Sequence, residues 1–258
     1  MFIAKLALRQ ERRACYSPSI VKRIAAEFFG TFALVFAGTG AIVINAASGG
    51  VITHAGIALT FGLIVLAMIY TVGDISGAHL NPAVTIGFFA ARRFPGRAVI
   101  PYVMSQLLGA ISASLLLHFL FPRDRTLGMT LPAGDVAQSF ILEVVLTFIL
   151  MWVILSVSTG AKEKGITAGI AVGSVIALEG MFAGPISGAS MNPARSFGPA
   201  VVSMHFEGLW IYGVATVLGA VLAAPLCRLI RGPDCCGRNA KVIVTDRPVS
   251  DRTGILRS

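Results

Sequence analysis

The tripeptide Asn-Pro-Ala occurs twice, at Asn81-Pro82-Ala83 and at Asn192-Pro193-Ala194, and its residues suit directed hydrogen bonding rather than bond-breaking. Asparagine is among the best helix N-caps and proline is favoured at the first helical position, so each copy is a helix start in miniature. The amides of Asn81 and Asn192 can donate hydrogen bonds. The carbonyls just upstream, of Gly77, Ala78 and His79 and of Gly188, Ala189 and Ser190, can accept them. If the two helix starts face one another, their positive ends repel a cation from both sides. A central water that accepts from both asparagines must turn its own hydrogens outward, which interrupts the aligned chain that proton hopping needs. The chemistry predicted for such a site is passage of neutral molecules.

Other chemistries find little support in the residues. His54, His79 and His118 show no metal-ligand spacing, so no metal is expected. Neither a His-x-x-x-His pair nor a Gly-x-Ser-x-Gly elbow is present, and the chain reads as a non-enzyme without a cofactor. Glu27 and Glu143 lie inside apolar stretches, where an ionisable group is a functional suspect by default. Their matched settings, Glu27-x-x-x-Thr31-Phe32 and Glu143-x-x-x-Thr147-Phe148, suggest instead a scaffold that accepts backbone hydrogen bonds from a nearby loop. Of the histidines, only His79 is expected to line the path, and Asp74 reads as a solvated carboxylate.

Positioning these groups requires a membrane. The chain is 55% hydrophobic and 13% charged, with a mean hydropathy of +0.81, too little polar surface for a water-soluble globule. Six apolar stretches, near residues 24–46, 52–72, 99–121, 136–158, 166–183 and 209–230, approach the roughly 20 residues that a spanning helix needs. Two shorter stretches, 82–91 and 193–203, begin at the Asn-Pro-Ala copies and read as re-entrant half-helices. The expected fold is therefore all-α: six transmembrane helices plus two half-helices.

The two motifs belong to a longer repeat. Ile75-Ser76-Gly77-Ala78-His79-Leu80-Asn81-Pro82-Ala83 matches Ile186-Ser187-Gly188-Ala189-Ser190-Met191-Asn192-Pro193-Ala194 at seven of nine positions. Gly56-Ile57-Ala58 likewise echoes Gly169-Ile170-Ala171. Each half, residues 23–121 and 136–230, holds three spans and one half-helix. Three is odd, so the second half must enter the membrane inverted. The two motifs then meet near the bilayer centre, where irregular backbone is tolerated only if it is buried in protein or lines a watery cavity. Gly165, Gly169 and Gly173 recur every fourth residue, as close helix packing requires.

Charge sets the orientation. All but three of the 21 basic residues, Arg123, Arg125 and Arg195, fall on one side, which the positive-inside rule makes the cytoplasm, with both termini there. The formal charge of +9 is thus a topology signal, and no nucleic-acid partner is expected. Residues 1–22 and 231–258 read as cytoplasmic tails around a channel domain at 23–230. The first span is too long and glycine-rich for a cleaved leader, and Cys15, Cys227, Cys235 and Cys236 are expected to be reduced thiols.

The segments Gly77-Ala78-His79-Leu80-Asn81-Pro82-Ala83-Val84-Thr85 and Ser190-Met191-Asn192-Pro193-Ala194-Arg195-Ser196-Phe197-Gly198-Pro199 resemble the aquaporin, or major intrinsic protein, family across residues 23–230. That resemblance implies a homotetramer with one pore per subunit in the plasma or inner membrane. It also implies an outer constriction at Phe61, Gly180, Ala189 and Arg195. Arg195 would donate to a passing solute and repel cations. Water-selective members of the family carry histidine where this chain has Gly180, and glycine should widen the aperture. Glycerol-conducting members share the glycine but follow the arginine with an acid, here Ser196, and have an aromatic where Ala189 stands. The run from Gly184 to Met191 is most similar to the plant nodulin-like branch and its bacterial relatives, which pass small polyols, urea or metalloid hydroxides. The expectation is a passive channel for water and such solutes. A strict water channel is the nearest alternative, and a secondary active transporter a remote one, since it normally couples an ion through intramembrane charge.

Overall fold

The computed structural model describes residues 18–158 and 162–232, the side chains of 162–165 excepted. Within them the chain forms α1 (Ile20–Ala47), α2 (Thr53–Ser76), α3 (Pro82–Ala90), α4 (Gly96–Leu120), α5 (Val136–Val157), α6 (Lys162–Ser187), α7 (Pro193–Ser203) and α8 (Leu209–Arg231), with no strand among the described residues. Six of these are long and apolar enough to cross a membrane. The other two, α3 and α7, have 9 and 11 residues. At about 1.5 Å per residue each reaches roughly half-way through a hydrocarbon core.

The distribution of polarity is that of a multi-pass membrane protein. Phe29, Ile100, Phe119 and Leu229 are largely exposed on the outside of the bundle, whereas Glu27, Thr31, Gln106, Ser139, Glu143 and Thr147 are buried within it. Polar groups in hydrocarbon must find partners inside the protein, so the burial of this set and the exposure of the large apolar side chains have one cause.

The packing repeats. α1 lies against α2 and α4 as α5 lies against α6 and α8, and α4 contacts α7 as α8 contacts α3. The two halves meet chiefly through α2 with α6, through α4 with α7 and α8 with α3, and at the meeting of α3 with α7. Exchanging the halves leaves this pattern of neighbours unchanged, as an inverted repeat requires. Where α2 crosses α6 the backbones touch: a Cβ on Gly62 would lie 2.4 Å from the Gly173 carbonyl oxygen, and one on Gly173 2.5 Å from that of Gly62. No larger residue fits this crossing, which sets the spacing of two of the helices that line the central cavity.

One expectation is corrected at the end of the bundle. Cys227, in α8, is disulfide-bonded and not a reduced thiol. Cys15, Cys235 and Cys236 lie outside the described residues. The expectation rested on cellular compartment alone and took no account of which thiols the fold brings together.

Candidate functional site

Both half-helices are capped by their asparagines. Asn81 Oδ1 accepts from the Ala83 N–H at 2.8 Å, and Asn192 Oδ1 from those of Ala194 and Arg195 at 3.0 and 3.3 Å. Upstream, the two loops adopt the same unusual backbone. Gly77, Ala78 and Leu80 have φ of 90°, 47° and 52°, and Gly188, Ala189 and Met191 have 83°, 41° and 53°. For the four non-glycine residues this left-handed conformation costs about 1–3 kcal/mol each and persists only where the surroundings hold it.

Two buried carboxylates hold it. Glu27 accepts from the His79 and Leu80 N–H groups at 2.9 and 2.7 Å, and Glu143 from those of Ser190 and Met191 at 2.8 and 2.9 Å. The hydroxyls of Ser76 and Ser187 accept from Ala78 and Ala189, each at 3.1 Å. The hydroxyls of Tyr102 and Tyr212 donate to the Ser76 and Ser187 carbonyls at 2.9 and 2.7 Å. With the loop N–H groups bound on the protein side, the carbonyls are free to face the opposite way.

The asparagines do something the sequence did not foretell. Asn81 Nδ2 donates to the Met191 carbonyl at 2.7 Å, and Asn192 Nδ2 to the Leu80 carbonyl at 2.9 Å. Each amide therefore ties the opposite loop with one N–H and keeps one for a solute, whereas the sequence alone had both amides simply facing the path. The cross-links also bind the two repeats into one unit at their point of contact.

Around this junction lies a cavity of about 410 Å³. Asn81, Asn192, Gly77, Ala78, His79, Gly188, Ala189 and Ser190 line it, with Val65, Leu150, Val172 and Ile176 as apolar wall. Pro82, Ala83, Pro193 and Ala194 do not line it; they belong to the first turns of α3 and α7, and Pro82 and Pro193 start those helices. Phe61, Gly180, Ala189 and Arg195 all face the same cavity. Arg195 is 3% exposed; its guanidinium sits 5.1 Å from the centroid of the Phe61 ring and donates from Nη1 to the Gly128 carbonyl at 2.9 Å. One donor is thus engaged in positioning, and the others remain for a solute.

The Phe61 ring lies directly on Gly38, where a Cβ would come 2.1 Å from Cε1. Gly38→Ala is therefore expected to displace the ring towards the cavity, its open side, and to lower glycerol flux in proteoliposomes. A variant with wild-type flux would show that the ring escapes elsewhere.

Several participants were not legible beforehand. Gly128, Met129 and Leu131 come from the connection between the repeats, and the last two line the cavity. Asp124 Oδ1 folds that connection by accepting from Thr126 and Leu127, the local signature that was available to be read. His79 is a lining residue but a largely packed one: 8% exposed, 3.1 Å from Thr85 Oγ1, its ring 4.7 Å from that of Phe88. His54 also lines the cavity, contrary to the expectation that His79 alone of the histidines does so. Asp74 is exposed and does not line it.

Glu179 is a third buried carboxyl within the spans, beside Glu27 and Glu143. It is 1% exposed, and both carboxyl oxygens lack a hydrogen-bond partner among the described residues. An acidic residue inside the apolar stretch 166–183 was the missed signal. An orphaned buried carboxyl destabilises the fold by about 1–3 kcal/mol or more. Glu179→Leu is expected to raise the melting midpoint in detergent; a lowered midpoint would show that the carboxyl has a stabilising partner.

Comparison with known proteins follows the same lines. The model of the family described as major intrinsic protein matches residues 14–226. Aquaporin NIP1-1 of Zea mays is 49% identical over 216 residues, 83% of this chain and 77% of that protein. Nodulin-26 of Glycine max is 43% identical over 246 residues, 95% of this chain and 86% of that protein. Among solved structures, the aquaglyceroporin from Plasmodium falciparum superposes with a TM-score of 0.73 at 28% identity, covering 83% of this chain and 99% of that one.

Proposed function

The chain belongs to the major intrinsic protein family, and from that premise we propose that it is a passive membrane channel conducting water together with small uncharged solutes such as glycerol, urea or metalloid hydroxides. The observation that carries this reading is the pair of capped half-helices whose asparagines reach across to the opposite loop inside a continuous cavity. Their positive ends converge on the centre and oppose cations and protons, while loop carbonyls and amide N–H groups replace the hydration of a neutral solute. The names of the relatives, aquaporins and an aquaglyceroporin, agree with this activity.

Permeation by solutes larger than water follows from the constriction. Phe61 and Arg195 form one wall, and Gly180 and Ala189 leave the other almost without side chains. A strict water channel would need that space filled. A secondary active transporter would need a coupled set of intramembrane charges; Glu27 and Glu143 are both committed to loop N–H groups, and Glu179 has no hydrogen-bond partner among the described residues to relay to.

By resemblance to the family, the functional unit is a homotetramer in the plasma or inner membrane, each subunit with its own pore. The clustering of basic residues puts both termini in the cytoplasm, with tails at 1–22 and 231–258 around the channel domain at 23–230. Labelled glycerol should equilibrate across proteoliposomes with no accumulation under an imposed ion or proton gradient, and the protein should add no proton conductance. Uphill accumulation would replace the channel with a transporter.

A further inference from the structure

We propose that His54 is a further selectivity residue, supplying the Arg195 side of the cavity with the side-chain hydrogen-bond acceptor that the four-residue constriction lacks. This rests on the reading of the cavity as a conduction path narrowed at Phe61, Gly180, Ala189 and Arg195. Of those four, Arg195 can only donate, and the side chains of the other three carry no polar atom. A polyol, urea or metalloid hydroxide arriving there has oxygens to accept from Arg195. It also has several O–H or N–H hydrogens that lose their water; the loop carbonyls take some of them, and each one left unpaired raises the barrier.

His54 stands in the first turn of α2 and lines the cavity. Its Nε2 lies 2.8 Å from the carbonyl oxygen of Met181, the residue after Gly180 on α6. A carbonyl can only accept, so Nε2 carries the proton, and the neutral ring's acceptor is Nδ1. The ring is seated by the fold: a Cβ on Gly184 would lie 2.7 Å from its Cε1, so a larger residue there would take the imidazole's place. Gly180 and Gly184, one turn apart on α6, thus do different things. Gly180 leaves the constriction open, and Gly184 admits an imidazole from the neighbouring helix one turn nearer the mouth. The side-chain acceptor that the constriction lacks thus stands one turn along α6 from Gly180, beside the path that a solute takes to Arg195.

The test is a comparison of wild type, His54→Phe and His54→Gln in proteoliposomes, with glycerol and water permeability read in the same vesicles. Phenylalanine keeps the bulk and removes the acceptor, whereas glutamine can donate to the Met181 carbonyl and still accept through Oε1. The expected result is a fall in glycerol permeability of about three- to tenfold for His54→Phe, roughly one neutral hydrogen bond, with water little changed and glutamine restoring most of the loss. An unchanged glycerol-to-water ratio in His54→Phe overturns the proposal, as does glutamine behaving like phenylalanine. Equal loss of water and glycerol also overturns it, because it marks a structural role. Wild-type protein that passes no glycerol refutes the conduction reading itself and the proposal with it, and that failure shows before any variant is compared.

Discussion

Glu143→Ala is expected to leave no folded channel. The substitution strips the acceptor from three buried donors, the Ser190 and Met191 N–H groups and the Ser187 hydroxyl, held at 2.8, 2.9 and 2.8 Å. At about 1–3 kcal/mol for each unsatisfied buried group, the loss is comparable to the whole stability of a typical folded protein, about 5–15 kcal/mol. It also releases the left-handed Ala189 and Met191, whose conformation the carboxylate holds. Size-exclusion chromatography in detergent should show aggregate or no protein. Glu143→Gln, which keeps one acceptor oxygen, should give a folded protein with a lowered melting midpoint.

The matching substitution in the first repeat should be milder, because the repeats differ there. Gln106 donates to Glu27 at 2.8 Å and to Thr85 at 3.0 Å, and its own Oε1 is buried without a partner. A rotated Gln106 amide could accept from the loop when Glu27 is replaced by alanine. The second repeat has Thr216 at the corresponding place, and that hydroxyl donates to the Tyr212 carbonyl instead. Glu27→Ala and Glu143→Ala with the same melting behaviour would contradict this asymmetry.

Gly180→His is expected to cut glycerol permeability by at least about tenfold, a barrier increase of about 1.4 kcal/mol, while lowering water permeability far less. The substitution can be accommodated: a Cβ at this position comes 3.2 Å from the Ala58 Cβ, a contact that a shift of a few tenths of an ångström relieves. The imidazole then occupies the side of the aperture that Gly180 and Ala189 leave open, opposite Phe61 and Arg195. Water tolerates the narrowing because it needs only single file and two or three hydrogen bonds. Proportional losses of water and glycerol would mean that the narrowest point lies elsewhere.

The parts of this molecule that follow from local rules were readable in the chain. Helices long enough to span, two half-length helices beginning at Asn-Pro, and a repeat with an odd number of spans are properties of pattern and length. Residues 82–91 and 193–203 compare with α3 at Pro82–Ala90 and α7 at Pro193–Ser203. The loop backbone that Glu27 and Glu143 hold was anticipated in outline, because a carboxylate at matched positions in both halves has few other uses. What escaped depended on contacts between segments distant in sequence. The pairing of Asn81 with Met191 arises only when the repeats close on each other, the docking of Arg195 on Gly128 when the connection between them folds back, and the seat of Phe61 on Gly38 when α2 packs on α1. Glu179 differs: it stands in plain view within a span but has no echo in the first repeat, unlike the Glu27 and Glu143 pair.

The most direct measurement is stopped-flow light scattering of proteoliposomes exposed to a glycerol gradient, beside an equal gradient of an impermeant sugar. Rapid shrinkage in both, followed in glycerol alone by re-swelling much faster than in empty liposomes, is the result expected of a water and small-solute channel. Rapid shrinkage with re-swelling no faster than in empty liposomes would contradict it and make the protein a strict water channel.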